Sequence, residues 1–558
     1  MSDARPPQRI HAYLHQPALG AAGLVVEEAP GPEALEMDVV VVGAGPAGLA
    51  CAIELAQQLA AQKARGGGPG EVNIAVLDKA AELGGHTLSG AVMNPVALRE
   101  LFPALADAEL PLGREVTSER VFFLTERRAL RLPPPPPMQN HGNRVVSLCE
   151  VVRWLGQRAE GLGINLFTGF PVRSLLVQGG RVVGVRTTPT GLKRDGTPGA
   201  GAQPAQDLAA KVVVLAEGVR GALTQAWLGW QGVGSASKPI YSLGVKELWS
   251  VRKPMGFDVL HTMGWPVPSG AFGGSFCYQL DDRTLALGLV VGLDAPVTNL
   301  DVHRLMQRMK THPLYRDLLA GGECLEWGAK SITEGGYAAL PERFSGDGVL
   351  VAGEAAGFLE VSSLKGVHYA IKSGLEAGRA VAAALARGDT SRASLSAYDR
   401  AIRASYVHDD LWRARNVRLG FKDGWLKGTL TAGLSTLTKG RIPAGTLSVE
   451  SDAEVPRAVV PAEAFAPDAT LTFSKVDGVA RSGNATRDDI PSHLVVGQDV
   501  PPAVAQMLVS LCPAGVYEQD GERLRVNAPN CVDCKATDVL GPRWTPREGG
   551  SGPAYKRM

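Results

Sequence analysis

Two cysteines and a threonine near the C-terminus have the spacing of a metal site. Cys531 and Cys534 are separated by two residues, and Thr537 stands at the next position of the same spacing. Iron–sulfur clusters and structural zinc ions bind thiolates at such spacings, and a neutral hydroxyl is a poor replacement. The pattern therefore fits a metal site, a metal site that has lost one ligand, or a turn that contains two thiols.

A glycine-rich turn near the N-terminus has the context of a dinucleotide site. Residues 38–42 predict a buried parallel strand, and residues 49–60 predict a helix. Between them, Gly43 permits a tight turn, Gly45 lets the backbone approach a pyrophosphate, and Gly48 lets the helix pack closely on the strand. The N-terminus of the helix then faces the phosphates. This context predicts a bound dinucleotide, and the alternative is a glycine-rich turn without a ligand.

An acidic residue completes this pattern. Residues 72–78 predict a second strand that ends in Asp78, whose carboxylate can accept hydrogen bonds from a ribose. Asp78 follows Gly48 by more than the roughly 20 residues of the general fingerprint. The glycine-rich insertion at residues 64–71 accounts for much of the excess.

A late strand and glycine turn indicate which dinucleotide binds. Residues 347–385 combine a buried strand, the sequence Gly353-Glu354-Ala-Ala-Gly357 and a helix rich in small residues. This element resembles the second signature of glutathione-reductase-type FAD proteins, in which the acid meets the ribityl chain or the pyrophosphate. Residues 211–223 resemble the intermediate strand of that class, and the sequence has no second GxGxxG for a nicotinamide cofactor. These features predict FAD, with electrons supplied by another donor.

The composition limits the other functions of the chain. Its 558 residues are too many for one hydrophobic core, so several domains are expected. The net charge of +1 and the mean hydropathy of +0.01 argue against a nucleic-acid-binding protein. Seven cysteines favour a reducing compartment, and the first ten residues lack the apolar core of a secretory signal. Residues 39–56 are apolar but too short for a transmembrane helix.

Further segments resemble one family in their sequence and order. They are AAELGGHTLSGAVMNP (80–95), YSLGVKELW (241–249), HTMGWPV (261–267), GGSFCYQL (273–280), LGLVVGLD (287–294), CPAGVYE (512–518) and GGSGPAY (549–555). Together they resemble electron-transfer flavoprotein:ubiquinone oxidoreductases from about residue 36 to the C-terminus. The resemblance implies an enzyme that takes electrons from reduced electron-transfer flavoprotein, passes them through FAD and a 4Fe-4S cluster, and reduces ubiquinone in the membrane.

The resemblance also implies a division of the chain into domains. It predicts a mixed α/β and α+β protein with a glutathione-reductase-type, FAD-binding, Rossmann-like domain. The expected boundaries are an N-terminal extension at 1–36, the FAD-binding domain at 37–220 and 340–442, an inserted quinone-binding β-sheet domain at 221–339, a linker at 443–468 and a ferredoxin-like iron–sulfur domain at 469–558.

The family pattern assigns roles to several residues near the flavin and the quinone. It implies that the backbone of Gly273 and Gly274 contacts quinone, whereas the residues alone favour a β-bulge or a tight bend there. Lys365 and Gly366 match the family's flavin-binding segment, but Glu360 stands in place of an asparagine. A carboxylate beside the ring would disfavour anionic reduced flavin.

One segment has the pattern of a helix at a membrane surface. Within residues 421–442, an apolar stripe is flanked by Trp425 and by basic residues. The stripe consists of Leu426, Leu430, Leu434 and Leu437. The alternative is a helix packed on the protein's own core; because the family is monotopic, the resemblance favours the membrane. Residues 121–143 are predicted to add a second apolar contact, with their proline run as a stiff spacer.

The family's cluster has four cysteine ligands, and this chain matches three of them. Cys512, Cys531 and Cys534 fit these positions, and Thr537 occupies the fourth. A 4Fe-4S cluster with Asp538, Asp533 or solvent on the fourth iron, a 3Fe-4S cluster, and no cluster at all remain open. Zinc on three thiolates is a further alternative.

Two other functions compete with the family's reaction. The first is that of a soluble FAD oxidoreductase of the geranylgeranyl-reductase or FixC type, and the second is that of an electron-carrier subunit that keeps FAD without turnover. The apolar segment and the complete C-terminal domain favour the family's reaction. The composition favours a bacterial chain, on the cytoplasmic face of the inner membrane.

Overall fold

The structure, a computed structural model, describes residues 9–12, 23–90, 92–497, 500–521, 523–540 and 543–558. Its helices are α1 (Pro46–Ala64), α2 (Val96–Leu101), α3 (Leu148–Gly161), α4 (Ala222–Trp230), α5 (Val302–Thr311), α6 (Pro313–Leu319), α7 (Val367–Arg387), α8 (Arg392–Leu395), α9 (Ala397–Arg403), α10 (Tyr406–Ala414), α11 (Val417–Gly420), α12 (Trp425–Leu437), α13 (Lys475–Arg481), α14 (Pro502–Leu511) and α15 (Ala536–Leu540).

The strands are mostly short outside two sheets. They are β1 (Arg9–Ile10), β2 (Val25–Glu27), β3 (Leu35–Glu36), β4 (Val39–Val42), β5 (Ile74–Asp78), β6 (Val92–Met93), β7 (Arg114–Glu115), β8 (Glu119–Leu124), β9 (Ala129–Leu132), β10 (Arg144–Val145), β11 (Asn165–Thr168), β12 (Val172–Gln178), β13 (Arg181–Thr187), β14 (Thr190–Leu192), β15 (Pro198–Gln203), β16 (Asp207–Ala209), β17 (Val212–Leu215), β18 (Tyr241–Ser250), β19 (Val259–Gly264), β20 (Gly273–Asp281), β21 (Thr284–Gly292), β22 (Glu323–Thr333), β23 (Ser345–Gly346), β24 (Val349–Val351), β25 (Arg457–Ala458), β26 (Leu494–Val495), β27 (Tyr517–Asp520), β28 (Arg523–Val526) and β29 (Arg543–Trp544).

A six-stranded sheet holds both glycine turns, in the order β11-β5-β4-β17-β24-β23. β4 pairs in parallel with β5 and β17, and β17 pairs in parallel with β24. Every residue of β4 and β17 is buried, as expected for parallel strands that are covered on both faces. The strands predicted from the valine-rich runs are therefore confirmed, and the glycine turns after β4 and β24 lie at the carboxyl ends of their strands.

A second sheet, in the order β2-β12-β13-β16-β3, uses the N-terminal segment. Its two edge strands, β2 and β3, come from residues 1–36, and each pairs in parallel with its neighbour. This segment is thus more than an extension before the FAD-binding domain. Strands of two or three residues carry too little pattern to be recognised in a sequence.

The region predicted to bind quinone contributes most of a seven-stranded sheet in the order β22-β18-β21-β20-β19-β8-β9. Its five strands from β22 to β19 pair antiparallel in that order, and β8 adds to β19 in parallel. β8 and β9 belong to residues 119–132, which the predicted boundaries placed in the FAD-binding domain. The sequence order conceals this because the chain leaves the FAD-binding domain twice to build one sheet.

The C-terminal module contains α13, α14, α15 and two small two-stranded sheets. The connection at 443–468 is anchored along its length, since β25 pairs with β1 and the buried guanidinium of Arg457 donates to the carbonyl oxygens of Leu293 and Asp452. Across the part of the chain that the structure describes, every helix is too short or too polar to cross a bilayer.

Candidate flavin and cluster sites

The glycine turn after β4 leaves open the space that a pyrophosphate would fill. A Cβ at Gly43 would overlap the carbonyl oxygen of Ala216, and one at Gly48 would overlap that of Gly43. A Cβ at Gly45, in contrast, would meet no described atom within 4 Å. Gly43 and Gly48 are therefore required by the turn itself. Gly45 faces open space at the N-terminus of α1, which is where a phosphate group binds.

The carboxylate of Asp78 lies beside this turn. Its Oδ2 accepts a hydrogen bond of 2.8 Å from the backbone N–H of Ala44, and its Oδ1 accepts one of 2.8 Å from that of Ala80. Each carboxylate oxygen keeps a further lone pair. Asp78 thus fixes the turn, and its bond to a ribose stays a prediction.

The second glycine turn packs directly on the first. Gly353 and Gly357 have positive φ angles of +69° and +91°, which favour glycine. A Cβ at Gly353 would lie 2.7 Å from that of Ala47 in the first turn of α1. The half-buried side chain of Glu354 accepts a hydrogen bond of 3.0 Å from the N–H of Thr333, and desolvation raises the pKa of Glu354 to about 6. The structure thus brings the two predicted FAD elements together.

Two glycines that the sequence analysis did not single out hold α7 against α1. A Cβ at Gly374 would overlap the carbonyl oxygen of Ala47, and one at Gly378 would lie 2.6 Å from that of Cys51. Gly366 is the residue before α7, so this helix starts beside the second glycine turn. The spacing of four between Gly374 and Gly378 in a predicted helix was the available signal for this close approach.

A cavity in the C-terminal module has the three predicted cysteines in its wall. Its empty volume is about 330 Å³, and all three cysteine side chains are buried. The residues that line it are Leu494, Cys512, Ala514, Val516, Tyr517, Cys531, Val532, Cys534, Lys535, Thr537, Asp538 and Trp544. All seven cysteines lie in the described part of the chain, and none forms a disulfide. The cavity has the donor set of a cluster site.

Backbone N–H groups point at these sulfur atoms. The N–H of Val516 lies 3.5 Å from the Sγ of Cys512, and that of Asp533 lies 3.4 Å from the Sγ of Cys531. Burial raises the pKa of the Cys531 thiol to about 12 and raises that of Cys534 well above its usual value. Buried thiols of this kind ionise when a metal replaces their protons. The residues therefore fit an iron–sulfur cluster through three thiolates.

At Thr537, the position of the missing fourth cysteine, the cavity is lined by a pair of hydroxyl groups; we call this position the fourth corner. The hydroxyl oxygens of Thr537 and Tyr517 lie 3.3 Å apart, and both side chains are buried. The neighbouring carboxylate of Asp538 accepts hydrogen bonds from the Nε of Arg220, at 2.8 Å, and from the backbone N–H of Trp544, at 2.7 Å. Both oxygens of Asp538 are thus already engaged.

Short polar contacts join the cysteine segment to both large sheets. Lys79 follows Asp78, and its Nζ lies 2.7 Å from the Oδ2 of Asp533, between the two cysteines of the CxxC pair. The Nζ of Lys330, in β22, donates to the carbonyl oxygen of Asp533 at 3.2 Å, and the Nζ of Lys535 donates to that of Arg220 at 2.7 Å. Burial would raise the pKa of Asp533, but nearby cations, chiefly Arg547 and Lys79, hold it well below the usual range.

Gly273 and Gly274 open β20 and pair in regular register with Val291 and Val290, so the strand has no β-bulge at these two residues. A Cβ at Gly273 would overlap the carbonyl oxygen of Val290, and one at Gly274 would lie 2.6 Å from that of Thr262. Close strand approach by itself therefore requires both glycines. Their contact with quinone stays a prediction.

The segment before α7 is folded on itself. The carboxylate of Glu360 accepts hydrogen bonds from the N–H groups of Ser362, at 2.6 Å, and Ser363, at 2.9 Å. The Nζ of Lys365 donates to the Oδ1 of Asn140 at 2.7 Å, and burial lowers the pKa of Lys365 to about 8. The Glu360 carboxylate is therefore engaged within its own loop.

Three of the four leucines of the predicted apolar stripe have described side chains, and these three lie on α12 and face outward. Leu430 is 65% exposed and Leu437 is 82% exposed, whereas an apolar side chain on a core-facing helix would be buried. Leu434 is also exposed. The side chains of Trp425 and Leu426 lie outside the described residues. In the second predicted segment, Leu130 of β9 is exposed.

Three family models match the chain. The ubiquinone-binding domain of ETF-QO matches residues 241–332, and the 4Fe-4S domain of electron transfer flavoprotein-ubiquinone oxidoreductase matches residues 469–556. A Rossmann-like, NAD(P)-binding domain matches residues 41–102. The first region holds β18 to β22 of the seven-stranded sheet, the second is the module with the thiol-lined cavity, and the third holds the first glycine turn with β4 and β5.

Curated relatives match almost the whole chain. The mitochondrial electron transfer flavoprotein-ubiquinone oxidoreductase of Arabidopsis thaliana is 37% identical over 94% of this chain and 85% of its own length. That of Oryza sativa subsp. japonica is 36% identical over 98% of each chain. The chain belongs to the electron transfer flavoprotein-ubiquinone oxidoreductase family.

Membership of this family confirms the resemblance and the fold class predicted from the sequence. The family models support FAD, an iron–sulfur cluster and ubiquinone as the predicted cofactors and substrate. A geranylgeranyl bacteriochlorophyll reductase-like protein from Thermoplasma acidophilum has a similar structure, with a TM-score of 0.55 and 18% identity over 74% of this chain and 94% of that one. This likeness shows the fold alone.

Proposed function

We propose that this protein oxidises reduced electron-transfer flavoprotein and reduces ubiquinone, with FAD and an iron–sulfur cluster as electron carriers. The observation that carries the proposal is the contact between the two candidate cofactor sites. Lys79 directly follows Asp78, whose carboxylate lies beside the first glycine turn. The Nζ of Lys79 forms an ion pair at 2.7 Å with Asp533, which lies between the two cysteines of the CxxC pair. A flavin and a cluster held at these sites would be neighbours within one chain.

The residues of the flavin site hold the cofactor rather than react. We assign the pyrophosphate to the open space at Gly45 and the N-terminus of α1, the ribose to Asp78, and the ribityl chain to Glu354. Gly366 leads into α7, whose N-terminus stabilises negative charge near it. When bound, FAD accepts electrons singly and delivers two to a quinone.

We assign the cluster to Cys512, Cys531 and Cys534, and the quinone to the strand that begins at Gly273 and Gly274. The absence of a side chain at both glycines leaves room beside their backbone, where an N–H group can donate to a quinone oxygen and a C=O group can accept from a quinol hydroxyl. We keep the predicted domains with two changes: β2 and β3 join the FAD-binding domain, and β8 and β9 join the quinone-binding sheet.

We further propose that α12 places the protein on a membrane surface. The outward leucines Leu430 and Leu437, with the exposed cations Lys427 and Lys439, suit the boundary between acyl chains and anionic headgroups. Quinone would then enter from the bilayer without crossing water. In a bacterial cell this surface is the cytoplasmic face of the inner membrane.

The proposal is tested with purified protein, reduced electron-transfer flavoprotein and a short-chain ubiquinone analogue. Quinol formation, followed optically, is expected to need all three components and the bound flavin. A photoreactive quinone analogue should label the segment around residues 271–275. Donor oxidation without quinol formation would instead support an electron carrier, and labelling elsewhere would refute the assignment of quinone to β20.

A further inference from the structure

The family model that matches residues 469–556 describes a 4Fe-4S domain, yet the cavity offers only three thiols. Clusters of this type normally have four cysteine ligands. The side chains that could replace the fourth thiolate are two carboxylates, one imidazole and two hydroxyls.

Asp538 lines the cavity but is held by other groups. Its Oδ2 accepts from the Nε of Arg220 at 2.8 Å, and its Oδ1 accepts from the N–H of Trp544 at 2.7 Å. Arg220 is itself largely buried, with 10% of its side chain exposed. A move of Asp538 onto iron would leave a buried guanidinium without its partner, which is strongly unfavourable.

Asp533 and His493 do not line the cavity. The carboxylate of Asp533 pairs with Lys79 at 2.7 Å and with Arg547 at 2.9 Å. It also accepts a hydrogen bond of 3.1 Å from the Nε1 of Trp544. His493 is buried, and its ring lies with Asp533 and the Sγ of Cys531, with ligand atoms within 4.8 Å of one another. Because neither side chain lines the cavity, neither is among the groups that face the space beside Thr537.

Thr537 and Tyr517 are the cavity-lining groups that remain. Their hydroxyl oxygens lie 3.3 Å apart, and both are neutral oxygens that satisfy each other. A neutral hydroxyl is a weak ligand for cluster iron. Such a pair can, however, bind a water molecule, which needs two or more polar partners.

We propose that the cluster in this chain has three protein ligands, Cys512, Cys531 and Cys534, and that the iron beside Thr537 is bound only by cluster sulfides and solvent. That iron is then exchangeable. On mild oxidation one ferrous ion leaves and one electron passes to the added oxidant, ferricyanide, so that a doubly charged four-iron cluster becomes a singly charged three-iron cluster. Ferrous ion and dithionite reverse the change. The proposal rests on the cluster part of the proposed function.

The test uses the complete, anaerobically purified protein and measures iron, acid-labile sulfide and low-temperature EPR spectra. After ferricyanide, the wild type is expected to show the EPR signal of an oxidised three-iron cluster, which ferrous ion and dithionite remove. Thr537→Cys supplies the missing thiolate and should reduce this conversion at least about tenfold, because thiolate is the preferred ligand. Thr537→Val, the matched control, should convert like the wild type.

A second measurement on the wild type keeps the proposal open to refutation if Thr537→Cys fails to fold. In water enriched in oxygen-17, the spectra of the reduced four-iron protein should show coupling to a solvent oxygen. In Asp538→Asn and His493→Ala, the cluster that each variant retains should convert with ferricyanide and show oxygen-17 coupling as in the wild type. A wild-type cluster that keeps all its iron, or that loses it only after a change at Asp538 or His493, would overturn the proposal.

Failure of the ligand assignment gives different experimental results from failure of the proposed electron-transfer function. A stable four-iron cluster without solvent coupling overturns only the ligand assignment. Protein that carries FAD and no iron overturns the cluster in both proposals, and so does zinc in place of iron. Quinone reduction by an iron-free protein would leave the flavin and quinone parts of the function in place.

Discussion

The Nζ of Lys79 lies 2.7 Å from the Oδ2 of Asp533, and these residues belong to different domains. Asp533 is buried with 1% of its side chain exposed, and it also pairs with Arg547 at 2.9 Å. One carboxylate therefore holds the cluster segment against the flavin-binding sheet. Removing it would leave buried cations without a partner.

Asp533→Asn is expected to destabilise the protein by about 3 kcal/mol, the usual cost of breaking a buried ion pair from one side. Lys79→Met should cost less, since Lys79 is 26% exposed. Thermal unfolding and the iron content of both variants measure these effects. A control is Lys211→Met, which removes a mostly exposed partner of Asp38 and should change neither quantity. Equal stability of Asp533→Asn and the wild type would contradict the anchoring role.

The two glycine positions of the first turn should respond differently to alanine. A Cβ at Gly45 meets no described atom within 4 Å, so Gly45→Ala should fold and lose FAD affinity by obstructing the phosphate. Gly48→Ala should lower thermal stability as well, because its Cβ overlaps the Gly43 carbonyl oxygen. Flavin absorbance and the unfolding midpoint separate the two effects. Gly229→Ala, on the exposed side of α4, should retain both; normal FAD binding by Gly45→Ala would refute the site.

The outward leucines of α12 predict a measurable membrane affinity. Burial of a leucine side chain is worth about 2 kcal/mol, so Leu430→Gln with Leu437→Gln should weaken binding to anionic vesicles at least about tenfold. Vesicle co-sedimentation measures it. Leu162→Gln, at an exposed leucine that follows α3, should bind like the wild type. If the double variant also binds like the wild type, α12 is not the membrane contact.

Asp258 predicts a pH dependence of stability. Although burial opposes ionisation, hydrogen bonds from Thr117, Arg114 and Ser118 lower the pKa of Asp258 to about 2. Because the folded-state pKa is below the unfolded one, the stabilisation of about 2 kcal/mol is present above pH 4 and is lost as the pH falls toward 2. Asp258→Asn should therefore lower the unfolding midpoint at pH 7 and bring it close to the wild type at low pH. A constant difference across this range would contradict the assignment.

The FAD-type core was predictable because its signals are local. Valine runs, glycine spacing and a following helix identify β4, α1 and β24 without any tertiary information. The cysteine spacing likewise identified three residues of the cavity wall. The contacts of Lys79, Lys330 and Arg220 with the cluster segment could not be predicted. They join residues that are hundreds of positions apart and carry no pattern of their own.

Sheet membership was hidden for a related reason. β8 and β9 fall within residues 37–220 in sequence, next to strands of the six-stranded sheet, but they complete the seven-stranded sheet in space. The sequence also could not show which group stands beside Thr537 in place of the missing thiolate. Its spacing showed that a thiolate was missing, and only the hydrogen bonds of Asp538 showed that the nearest carboxylate is committed elsewhere.

The connection at 443–468 has a consequence for the speed of electron transfer. With β25 paired to β1 and Arg457 buried among carbonyl oxygens, the C-terminal module cannot swing on a tether as a mobile redox carrier would. Electrons must tunnel across a fixed gap, so the rate depends on driving force and reorganisation energy rather than on domain diffusion. Solvent viscosity should therefore leave the internal step unchanged.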